Sequence, residues 1–171
     1  TLALVTLTSQ YTLVSPLRLQ QWVNVTVKNF VCTMADDEGL DNTVDMDRFW
    51  VWANAFNRAN SEDPGVQFNP VDQVVYGYSI SHEIPMDPGD IHEANSSIDL
   101  SFDTENFDFS FAKLNLKAWV RDYDGGWSGD ENAHGEITLI GNDMWGDKKI
   151  YLYSDDFTFE VNIHIKKSNK K

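Results

Sequence analysis

The acidic residues of this chain concentrate in two clusters. Six carboxylates lie between Asp36 and Asp47 without an intervening basic residue, and four more lie in the glycine-rich segment 122–131. Carboxylates packed close together raise one another's pKa, so a cluster of ionised side chains is costly without a counterion. Calcium takes roughly six to eight oxygen ligands, mostly carboxylates and carbonyls, from loops. The two clusters therefore predict a calcium site, and a solvated acidic surface is the alternative interpretation.

Strands with a two-residue period are predicted to carry these clusters. Apolar residues alternate with polar ones over 22–32, 114–121 and 157–165, which is typical of antiparallel strands with one buried face. The clusters follow the first two of these strands, and two such strands can end at the same edge of a sheet, which would bring the loops together. The predicted fold is all-β, a single antiparallel β-sandwich. Further strands are predicted at 2–8, 10–14, 48–56, 72–80, 96–103, 106–111, 136–141 and 149–153.

The spacing within both clusters resembles that of a known family. Segment 122–130 has the pattern Asp-x-Asp-x5-Asp, between the strand 114–121 and a Gly-Glu-Ile sequence that begins at Gly135. The first cluster lies between the alternating segment 23–30 and the sequence Asp-Arg-Phe-Trp-Val-Trp at 47–52. Taken in this order, the segments resemble the C-two domain, a calcium- and phospholipid-binding module.

The resemblance implies a Greek-key sandwich of the C-two type within one domain, 1–171. Its core would be 22–165, preceded by extra N-terminal strands at 1–20 and followed by a basic tail at 166–171. The first loop is longer than the usual form of the family, so Asp41 could replace Asp36 or Asp37 as a ligand. The implied calcium ligands are Asp36, Asp37, Asp41, Asp47, Asp122, Asp124 and Asp130.

The resemblance also implies a partner and a mechanism. Bound calcium would cancel the charge of the loops and leave coordination positions open for the phosphate of a membrane lipid. Apolar groups at the loop tips, Leu40 and Trp127, would then enter the membrane interface, where tryptophan is favoured. The expected function is calcium-dependent phospholipid binding as part of a larger protein, secreted or pore-forming, and an extracellular location is favoured.

Two alternative functions are open besides calcium-dependent phospholipid binding. Trp22 and Trp119 lie on the polar phase of their strands, and exposed aromatic side chains indicate a partner. Trp22, Trp119 or Trp145 could stack against a sugar ring, which would make the chain a calcium-stabilised carbohydrate-binding or adhesion module. The second alternative is a metal-free structural domain.

Composition and the absence of known motifs argue against several other classes of protein. The 171 residues fit one domain, and a net charge of −14 argues against nucleic acid, since phosphate-binding surfaces are basic. The single cysteine, Cys32, precludes an internal disulfide, and a place in the core is expected for it. No Ser-His-Asp set or phosphate-binding glycine loop is present, so an enzyme is not expected.

Overall fold

Eight antiparallel strands make up the fold in the computed structural model, which describes residues 21–35, 43–57, 72–102, 110, 112–123 and 131–169. This confirms the all-β prediction. The predicted strands at 2–8 and 10–14 lie outside the described residues, as does 106–111 except for Ser110. The strands are β1 (Gln21–Ala35), β2 (Val44–Asn57), β3 (Gln73–Met86), β4 (Ile91–Phe102), β5 (Ala112–Asp122), β6 (Glu131–Ile140), β7 (Gly146–Tyr153) and β8 (Phe157–Lys167), with a 3-10 helix at Gly141–Met144.

The strands form one sheet in the order β3-β2-β5-β6-β7-β8-β1-β4. At its middle, β6 and β7 are joined through one residue pair, His134 with Tyr153. The sheet folds over at this seam, so that the two four-stranded halves face each other. Phe49 of β2 contacts Phe30 of β1 and Phe159 of β8, with ring centroids 5.1 and 6.1 Å apart. The core lies between these halves, as in a sandwich.

Strict alternation places the core side chains along β5 and β8. In β5 every second residue from Ala112 to Asp122 is buried, and in β8 the same is true from Phe157 to Ile165. In β1 the alternation changes phase, because the ladder to β8 is irregular between Val27 and Asn29 and again after Cys32. Cys32 is fully buried, and burial raises the pKa of its thiol to about 11.

The last strand, β8, includes the first two lysines of the predicted basic tail, Lys166 and Lys167. Lys166 pairs with Asn24 and Lys167 with Val23, both on β1. The two lysines belong to the strand because β1 begins at Gln21 and offers them partners in the ladder.

The outermost strands of the sheet, β3 and β4, meet through side chains. Tyr76 Oη and His92 Nε2 lie 2.7 Å apart, and Ser96 Oγ donates a hydrogen bond of 2.7 Å to the carbonyl oxygen of Val75. The His92 ring stacks on Phe49 with a centroid distance of 4.0 Å. Burial lowers the pKa of His92, and the Glu93 carboxylate opposes this effect.

The lowered pKa of His92 predicts a loss of stability in mild acid. As the pH falls below about 6.5, the unfolded chain protonates this imidazole more readily than the folded chain does, so the unfolding free energy decreases. Urea denaturation at about pH 7.5 and about pH 5.5 should show this fall in the wild type and a smaller one in His92→Gln. The matched control is His82→Gln, at an exposed position of β3. An equal pH dependence in wild type and His92→Gln would contradict the assignment.

Candidate functional site

Four connections leave the same end of the molecule. Met46 near the start of β2 pairs with Asp122 at the end of β5, and Val44 pairs with Met86 at the end of β3. The end of β1 at Ala35 pairs with the start of β8. Both acidic clusters of the sequence therefore border this end, which we call the acidic end. Its described carboxylates are Asp45, Asp47, Asp87, Asp90, Asp122, Glu131, Asp155 and Asp156.

Asp47 is buried because β2 bulges at this residue. Met46 and Asp47 are both buried although they are consecutive, with 0 % and 6 % exposure. The ladders of β2 to β3 and to β5 both shift between Met46 and Arg48. A bulge inserts one unpaired residue and redirects its side chain, so Asp47 leaves the alternation of β2 and its carboxylate lies against Arg48 and Arg121.

Two arginines neutralise the Asp47 carboxylate. Arg121 Nε donates to Oδ1 over 2.9 Å and its terminal nitrogen binds Oδ2, the bidentate arrangement that guanidinium groups favour. Arg48 Nε lies 3.5 Å from Oδ2. Arg48 and Arg121 are directly opposed in the ladder, where like charges repel. Asp47 therefore compensates both arginines, and Arg121 supplies the positive charge that a buried carboxylate requires.

Asp122 is the last buried position of β5. It continues the inward face that begins at Ala112, and its residue exposure is 4 %. The N–H of Tyr123 donates a hydrogen bond of 3.0 Å to the carbonyl oxygen of Asp45, which holds the end of β5 against β2. Asp47 and Asp122 are the two buried charged residues of the described chain, and they lie on neighbouring strands.

The turn between β3 and β4 adds carboxylates that are not among the predicted calcium ligands. Asp87 accepts a hydrogen bond from Thr43 Oγ1, and Asp90 Oδ2 accepts one of 3.0 Å from the backbone N–H of Asp87. Backbone hydrogen bonds of Gly89 and Asp90 to Cys32 fix the turn against β1. The Asp-Pro-Gly-Asp sequence between two alternating segments is the signal for this turn, but only the strand pairing places it at the acidic end.

The other predicted ligands, Asp36, Asp37, Asp41, Asp124 and Asp130, lie outside the described residues, as do Leu40 and Trp127. Within the described ranges, no three His, Cys, Asp or Glu side chains are close enough together to hold a metal ion. The described part of the site thus consists of two buried carboxylates at the strand ends where segments 36–42 and 124–130 attach.

The three tryptophans considered for sugar stacking do not come together. Trp119 is directly opposed to Trp50 in the ladder between β5 and β2. Trp22 pairs with Ser101 in the other half of the sheet, and Trp145 packs partly buried against the core.

Comparison with known proteins adds no functional assignment. No protein-family model and no curated protein matches this chain. Among solved structures, Drosophila C2-DSL-EGF1 is similar with a TM-score of 0.37 and 12 % identity, over 85 % of this chain and 67 % of that chain. In the described part of the chain, no helix has the length and apolar character needed to cross a membrane.

Proposed function

We propose that this chain is a calcium-binding β-sandwich module whose cation binds at the acidic end. The observation that supports this best is the position of Asp47 and Asp122. Both carboxylates are buried and lie where the two acidic segments of the sequence join neighbouring strands. Asp122 is a suitable ligand for a hard divalent cation, whereas both oxygens of Asp47 bind Arg121, so Asp47 would become a ligand only by exchanging one of these hydrogen bonds for the cation.

The charge balance of the acidic end supports the same proposal. Among its described residues the bases are Arg48 and Arg121, and both contact Asp47. The eight described carboxylates of this end therefore outnumber its two described arginines. A divalent cation would relieve their mutual repulsion and that of the additional acids at 36–42 and 124–130.

The proposed partner of the calcium-bound form is a phospholipid surface. A cation held by loop carboxylates keeps coordination positions that phosphate oxygens can fill. Leu40 and Trp127 would supply apolar contacts with the membrane interface. The domain would then attach a larger protein, secreted or pore-forming, to membranes.

Calcium is expected to raise the thermal midpoint of unfolding. An ion that binds only the folded state at about one hundred times its Kd contributes about 2.7 kcal/mol, which corresponds to about 5–10 °C for a domain of this size. Differential scanning fluorimetry in calcium and in chelator measures the shift. Asp122→Asn should reduce it, whereas Asp143→Asn, which removes the same charge from the 3-10 helix at the opposite end, should not.

Vesicle sedimentation tests the phospholipid partner separately from the calcium site. The wild type should sediment with phosphatidylserine vesicles in calcium and remain in the supernatant in chelator, and Asp122→Asn with Asp124→Asn should abolish sedimentation. An unchanged melting midpoint up to millimolar calcium would refute the cation site. A clear midpoint shift without sedimentation would refute only the lipid partner.

A further inference from the structure

Ring side chains form a continuous row on the outer face of the sheet. Trp50 of β2 opposes Trp119 of β5, Trp119 opposes His134 of β6, and His134 opposes Tyr153 of β7. Neighbouring strands lie about 4.8 Å apart, so these four side chains follow one another over about 14 Å of outer surface, which curves where the sheet folds between β6 and β7. The row becomes more exposed toward β7, where Tyr153 is 66 % exposed. We call these four residues the aromatic row.

A second ring supports each end of the aromatic row. The rings of Trp50 and Trp52 are nearly parallel, with centroids 5.8 Å apart. Tyr151 and Tyr153 stack with a centroid distance of 6.4 Å. These stacked pairs restrict the rotation of the rings, and a surface that is ordered before binding loses less entropy when a ligand arrives.

An open cavity of about 530 Å³ lies beside the middle of the row. Its volume falls within the usual range for small-ligand sites, about 300–1,000 Å³. Lys117 Nζ is 3.1 Å from Asp72 Oδ2, and Asn115 Nδ2 donates a hydrogen bond of 2.7 Å to Glu136 Oε1. The lining includes Trp52, Asp72, Lys117, Trp119, His134 and Glu136. Hydrogen-bond donors and acceptors thus lie directly beside flat rings.

The lining distinguishes between classes of ligand. Lys117, the lysine that lines the cavity, is paired with the Asp72 carboxylate. The net charge of the chain is −14, so the phosphate backbone of a nucleic acid would be repelled. Charged groups interrupt the aromatic surface, which makes insertion into a bilayer costly. A sugar ring, in contrast, has a C–H face that packs on the negative face of an aromatic ring and hydroxyl groups that both donate and accept hydrogen bonds.

We propose that the aromatic row and its cavity bind a neutral, extended oligosaccharide. Rings that follow one another at the strand spacing suit a linear chain in which similar hexoses repeat. The proposal does not depend on the calcium site, because the row lies on the outer face of the sheet, whereas Asp122 lies on the inward face of β5. Binding is therefore expected in calcium and in chelator alike.

Titration calorimetry and tryptophan fluorescence of the full chain test the proposal, with cellohexaose, xylohexaose, mannohexaose and chitohexaose as probes. At least one should bind, and Trp119→Ala and Tyr153→Ala should weaken it about tenfold or more, as is typical for removal of a central aromatic anchor. Tyr153→Ala keeps the test valid if Trp119→Ala fails to fold, because Tyr153 is mostly exposed. The control is Tyr123→Ala, an aromatic residue 41 % exposed outside the row.

Three results would overturn the proposal. The first is no binding of any probe at millimolar concentration, and the second is unchanged affinity in both row variants. The third is self-association of the wild type that Tyr153→Ala abolishes while no probe binds, since the row would then be a protein interface.

Discussion

Arg121→Met is expected to lower the unfolding free energy by about 3 kcal/mol or more in chelator, because it removes one partner of a buried ion pair and leaves Asp47 with the longer contact to Arg48. The side chains of Arg121 and Asp47 are 16 % and 9 % exposed, so water cannot replace the lost contact. Urea unfolding measures the change. The matched control is Arg48→Met, since Arg48 contacts the same carboxylate from a side chain 41 % exposed and should cost less than about 1 kcal/mol.

A second substitution separates charge from packing. Asp47→Asn in the Arg121→Met background removes the uncompensated charge and should recover part of the lost stability. Calcium should also stabilise Arg121→Met more than it stabilises the wild type, because a cation near Asp47 would replace the missing guanidinium. Stability of Arg121→Met within about 0.5 kcal/mol of the wild type would show that the ion pair does not support the site.

Phe49→Ala is expected to destabilise the fold by about 3–5 kcal/mol, the range for removal of a fully buried phenylalanine. Phe49 has 0 % exposure and joins four strands: it stacks on His92 of β4 and meets Phe30 of β1 and Phe159 of β8 edge-on. Its removal would separate the halves of the sandwich and loosen the contact between β3 and β4. Urea denaturation and the protection of backbone amides in these strands measure the effect.

The control for this substitution is Val74→Ala, at a residue of β3 that is 48 % exposed. It removes apolar atoms without opening a cavity, so its effect should stay within about 0.5 kcal/mol. A loss below about 1 kcal/mol in Phe49→Ala would mean that the two halves do not depend on this cluster.

The sequence predicts the strands well where one face is buried along the whole strand. The alternation from Ala112 to Asp122 in β5 and from Phe157 to Ile165 in β8 reappears without a break. The sequence does not predict which side chains are buried where a bulge changes the phase of a strand, as at Asp47. A bulge depends on the neighbouring ladders and leaves no local sequence pattern. Likewise, Lys167 belongs to β8 because it pairs with Val23 of β1, and this pairing is not visible in the local sequence.

The same distinction between local sequence and strand pairing applies to the candidate site. Asp47 and Asp122 could be selected from the acidic clusters and the C-two resemblance, since both depend on the order of residues along the chain. The ion pair between Asp47 and Arg121 could not be predicted from the sequence, because it depends on the strand register that places Arg48 opposite Arg121. The same holds for the aromatic row, whose members come from four strands and are neighbours only through their pairing.

Calcium titration calorimetry on the full chain tests for a cation site at the acidic end. Such a site requires saturable calcium binding by the wild type, weakened about tenfold or more by Asp122→Asn, because the charge and number of the ligands set calcium affinity. Binding should be unchanged in Asp143→Asn at the opposite end. Absence of saturable binding up to millimolar calcium, or equal affinity in wild type and Asp122→Asn, would contradict a calcium site at the acidic end.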